Sequence, residues 1–80
     1  SVQDKMRELE FDEDDQNTVM AVMAGYLENR RTEQALFELA VTYMVSHTRD
    51  EGERESWAIL LPKPELARVE DFNGPKPACQ

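Results

Sequence analysis

Apolar residues recur along this chain at helical spacing, and no stretch alternates apolar and polar positions as a half-buried strand would. Val2, Met6 and Leu9 stand at i, i+4 and i+7, which predicts a short helix over Ser1 to Glu10. Ser1 is its expected N-cap, with Asp4 in a capping-box-like position three residues later. The run Asp12-Glu13-Asp14-Asp15 then places carboxylates where a helix dipole is positive. It predicts a second helix from about Asp14 to Leu27 or Glu28, with Val19, Met20, Val22, Met23, Tyr26 and Leu27 as its apolar stripe. Gly25 falls inside that span, at a cost of up to about 1 kcal/mol relative to Ala. A close helix crossing would explain it, because glycine lets two backbones approach.

Asn29-Arg30-Arg31 reads as a turn, and Thr32 as the N-cap of a third helix over about Glu33 to Val45. Leu36, Leu39, Ala40, Tyr43 and Met44 form its main stripe, widened by Phe37, Val41 and Val45. The polar residues Gln34, Glu38 and Thr42 are confined to a narrow strip. A helix apolar over most of its circumference is either central in a bundle or keeps one face for a partner. Ser46 to Gly52 reads as a loop. A fourth helix is predicted over about Glu53 to Leu61, with Trp57, Leu60 and Leu61 on one face and Pro62 and Pro64 ending it. Pro64 suits the first position of a fifth helix carrying Leu66, Val69 and Phe72 and stopping at Asn73-Gly74. The predicted architecture is all-α, a compact bundle of about five short helices over residues 1–74, followed by a disordered Pro-containing tail at 75–80.

Charge and composition narrow what such a bundle does. Eighty residues bury roughly 60–65% of their unfolded surface, so the core is thin. Seventeen acids against nine bases give a net charge of −8, which disfavours nucleic acid and anionic membrane surfaces as partners. No apolar run approaches the ~20 residues that span a bilayer. One His, one Cys and three Gly leave little for nucleophile–base pairs, metal cages or phosphate loops, and a non-enzymatic role without cofactor or metal is expected. Cys79, alone and near the end, allows no internal disulfide and suggests a reducing cytoplasmic or nuclear setting, with cytoplasmic the expected one.

The candidate chemistry is sparse. An EF-hand loop starting at Asp12 would need Gly at Asn17 and a bidentate Glu at Met23, so the acidic run reads as a helix start. His47, at the end of the third helix, reads as a C-terminal capping group. Met6, Met20, Met23 and Met44 all fall on apolar faces and read as core filling, as does Trp57. Arg30, Arg31, Arg49 and Arg54 read as a solvated basic set.

The order of these elements resembles the harmonin-homology domain. The likeness is carried by the acid-rich start of "FDEDDQNTVMAVMAGYLENRRTEQALFELA", its apolar helix ending in Tyr26, and the Ala35–Leu39 segment. Leu60-Leu61-Pro62 and the terminal Asp71-Phe72 of "SWAILLPKPELARVEDF" complete it. It covers about residues 2 to 73. The loop "SHTRDEGERES" and the doubled proline depart from it. The resemblance implies a protein-interaction module of a scaffold or adaptor, which takes a partner's amphipathic helix or short peptide into a groove between helices. The surplus apolar positions of the second and third helices, Met20, Met23, Leu36, Phe37 and Val41, are the expected groove residues. A net-negative rim favours a partner that is basic, or at least not acidic. The alternative is a structural segment that self-associates as a homodimer or completes a neighbouring domain.

Overall fold

In the computed structural model, which describes residues 1–26, 31–62 and 72–74, four helices succeed one another: α1 (Val2–Glu8), α2 (Glu13–Ala24), α3 (Glu33–His47) and α4 (Glu51–Ala58). Each begins at a side chain suited to cap it. The oxygens of Ser1, Asp12, Thr32 and Asp50 accept from the backbone N–H three residues on, at 3.2, 2.8, 3.2 and 2.9 Å. Such caps satisfy donors that a helix start otherwise leaves open. The all-α bundle is therefore present, with four described helices where the sequence predicts about five.

The boundaries shift for identifiable reasons. The acidic run starts α2 at Glu13, one residue early, because Asp12 is the cap. α2 stops at Ala24, short of the expected Leu27 or Glu28, and Gly25 is its C-cap. There the chain turns away: Tyr26 forms an isolated antiparallel bridge with Phe72, and the Asn73 N–H donates to the Gly25 carbonyl at 2.7 Å. α3 continues to His47, two residues past the expected end. α4 starts at Glu51, with Gly52 in its first turn, because Asp50 caps it. It closes at Ala58 through bonds from Leu60 N–H to Trp57 O and from Leu61 N–H to Ala58 O, both 3.0 Å. The body of the predicted fifth helix and the predicted tail at 75–80 lie outside the described residues. Its expected end, Phe72 to Gly74, is bridged and non-helical.

α1 ends in a tight reversal. Phe11 N–H donates to Met6 O and Glu10 N–H to Arg7 O, both at 3.0 Å. This paired pattern places Glu10 in the left-handed region, at φ 61°.

α3 is the central element and packs against α1, α2 and α4. Its Phe37, Ala40 and Val41 have no exposed surface. Val2 and Met6 of α1 are buried against it, so the amino-terminal helix is docked on the core. Val19, Val22 and Met23 of α2 and Leu61 beyond α4 complete the interior. Buried Tyr26 donates its hydroxyl to the Leu39 carbonyl at 3.1 Å and meets the Phe72 ring edge-on.

Candidate partner-binding groove

The five positions expected to line a groove do not gather at the surface. Phe37 and Val41 are 0% exposed and Met23 is 7% exposed, so all three belong to the core and offer a partner nothing to touch. Met20 and Leu36 are half-buried and packed against that core. The physical reason is the central position of α3. With helices on several sides, its wide apolar face is consumed internally.

The surplus apolar surface lies elsewhere. Ile59 is 79% exposed and Leu9 41%, the large hydrophobics left open among the described residues. Both border one groove of about 940 Å³ between the α1–α2 turn and α4. Its apolar lining continues through Phe11, Trp57 and Leu60 to Met44 of α3. Phe11 and Trp57 meet edge-to-face, with ring centroids 5.4 Å apart, and Phe11 contacts Phe37 at 6.4 Å. These rings tie the groove to the core. The Gln16 side chain holds the turn by donating to the Phe11 carbonyl at 3.0 Å.

Around this apolar strip stand the carboxylates of Glu10, Asp12, Asp14, Asp15 and Glu53. They come from the α1–α2 turn, the start of α2 and α4. Burial pushes the Asp15 carboxyl above its ordinary range, and the charges of Asp12, Glu53 and Asp14 push it in the same direction. Glu53 acts on it from the far element, so the two sides of the groove share one electrostatic field. The ion pairs among the described residues join Asp4 to the Ser1 amine and to Arg7, and none reaches this rim.

The other singled-out residues have internal roles. His47 ends α3 with Nδ1 3.0 Å from the Tyr43 carbonyl and its ring stacked on Tyr43 at 4.0 Å. Arg54 donates to the Thr48 and Arg49 carbonyls at 3.1 and 3.2 Å, clamping α4 to the end of α3. Arg49 and Arg31 are exposed. Trp57 is half-buried and forms a groove wall as well as a core contact. Cys79 and Arg30 lie outside the described residues. Among the described residues no group of three or more His, Cys, Asp or Glu is placed to hold a metal ion, and no helix is long and apolar enough to cross a membrane.

The groove residues had one legible signal. Trp57 to Leu61 is a run of five consecutive apolar residues at a helix end. Successive helical residues point about 100° apart, so not all five can face one core. Ile59 is the residue left outside. Comparison of the chain with protein-family models, with curated proteins and with solved structures finds no match in any of the three.

Proposed function

We propose that this chain is a non-enzymatic protein-interaction module of a cytoplasmic scaffold or adaptor, and that the groove between the α1–α2 turn and α4 receives a partner's amphipathic helix or short peptide. The observation that carries this reading is the pairing of Ile59 and Leu9, both exposed, on one concave strip backed by Phe11 and Trp57. Fully burying a side chain of this size is worth about 1.5–3 kcal/mol, of which Ile59, 79% exposed, has most still to gain and Leu9, 41% exposed, less than half. A partner helix presents residues at i, i+3/i+4 and i+7 on one face, which matches a strip of this kind. The resemblance to the harmonin-homology domain supports the same class of function, with the groove residues reassigned from α2 and α3 to the α1–α2 turn and α4.

The test is an amide NMR titration of the full chain with amphipathic helical peptides. Shifts concentrated at Leu9–Asp12 and Ser56–Leu60 are expected. Saturating shifts confined to other surfaces, or none with any peptide, would refute the reading.

A further inference from the structure

Resting on that reading, we infer that the occupant of the groove is a cationic amphipathic helix, whose apolar stripe covers Ile59 and Leu9 while flanking Lys or Arg side chains meet the carboxylates of the rim. Charge complementarity selects it. The rim presents five carboxylates from three parts of the chain, and no ion pair among the described residues neutralises them. The positive ends of α2 and α4 contribute roughly half a charge each, too little to offset five. The Asp15 carboxyl is pushed up first by its burial and only then by the neighbouring charges of Asp12, Glu53 and Asp14.

A second copy of this chain is a poorer match to the rim, because its net charge of −8 opposes its approach to five carboxylates. An acidic or neutral helix satisfies the apolar strip and leaves the rim unpaired. A cationic helix satisfies both. Its approach is also accelerated by the field, and that acceleration is screened by salt.

The experiment titrates the full chain, followed by Trp57 fluorescence and amide NMR, with three peptides of about 14 residues, roughly 20 Å of helix. All carry Leu at i, i+3/i+4 and i+7. Their remaining positions are Lys-rich, Gln-rich or Glu-rich. The Lys-rich peptide is expected to bind at least about tenfold more tightly than the Gln-rich one and to weaken as ionic strength rises, with the Glu-rich one weakest. Asp15→Asn with Glu53→Gln is expected to remove most of that Lys preference. Ile59→Ser is expected to weaken the Lys-rich and Gln-rich peptides alike. Glu8→Gln with Glu33→Gln, which neutralises two carboxylates outside the groove, is expected to change little. Amide spectra of each variant confirm the fold.

Equal binding of all three peptides, with shifts in the groove, would overturn the cationic inference and leave the docking reading standing. No shifts in the groove with any peptide would overturn the docking reading itself. Binding of the Lys-rich peptide that ignores Ile59→Ser and falls equally with the distant charge pair would be unlocalised charge attraction, and would also overturn the inference.

Discussion

Two residues in the groove rim are held against their own preferences. Glu10 takes a left-handed conformation, which costs a non-glycine residue roughly 1–2 kcal/mol, because the end of α1 requires it there. Glu10→Gly is expected to stabilise the fold by about 1 kcal/mol in urea unfolding, with Glu10→Gln, which removes only the charge, giving much less. Asp15 is the second. Its folded-state pKa is raised above the ordinary 3.8, first by burial and then by Asp12, Glu53 and Asp14. The native state therefore holds that proton more tightly than the unfolded chain does. The contribution favours folding at low pH and is lost as pH rises through the raised value. Asp15→Asn is expected to stabilise the protein at neutral pH, and that gain should vanish when thermal unfolding is followed below the ordinary carboxylate range. Asp4 has the opposite sign. Its hydrogen bonds with Ser1 and Arg7 lower its pKa, so its contribution is present at neutral pH and lost in acid. If Asp15 and Glu53 recognise a cation, stability is the quantity given up for binding, and Asp15→Asn should raise one while lowering the other.

At the scale of elements, the end of α2 shows how a local preference is overridden. Gly25 has φ −77° and ψ −9°, a conformation alanine adopts freely. Conformational preference alone predicts that Gly25→Ala stabilises by about 0.4–1 kcal/mol. Packing predicts the reverse. A Cβ there would stand 2.8 Å from Cζ of Phe72, and one on Gly74 would stand 2.7 Å from the Gly25 Cα. Gly25→Ala is therefore expected to destabilise by about 1–3 kcal/mol, as overpacking does. A double-mutant cycle with Phe72→Ala checks the cause, because the alanine at 25 should become nearly harmless once that ring is gone. The predicted close approach at Gly25 is real, but its partner is the bridged segment 72–74 and not a helix.

For the molecule as a whole, a thin core makes each central side chain matter. Stability of roughly 4–12 kcal/mol is ordinary for a chain of this length. Phe37 has no exposed surface and touches Phe11 and, through its face, the Lys5 ammonium at 5.4 Å. Phe37→Ala is expected to cost about 3–5 kcal/mol, a large share of that stability and enough to unfold much of the population only at its lower end, as read by circular dichroism and urea titration. A groove residue at that position would cost far less, so this variant also checks the reassignment of the binding surface. The radius of gyration, 11.5 Å, is close to the ~12 Å expected for a compact chain of 80 residues, in keeping with such a core.

The sequence by itself determined the helices, because caps and periodicity are local. Ser1, Asp12, Thr32 and Asp50 act on the donors three residues ahead, and apolar spacing marks the buried residues Val2 and Met6 of α1, Val19, Val22 and Met23 of α2 and Ala40, Tyr43 and Met44 of α3. Ser1 and Thr32 are legible to the residue, whereas Asp12 stands among neighbouring acids equally suited to cap and Asp50 falls in a segment that reads as a loop because of Gly52. What tertiary structure decided was which apolar residues remain outside. Phe37, Val41 and Met23 are as apolar as Ile59 and Leu9, and composition cannot rank them. Burial depends on how many elements converge on a face, and that is a property of the assembled bundle. α3 is enclosed by its neighbours, whereas the strip between the α1–α2 turn and α4 stays open with five carboxylates around it.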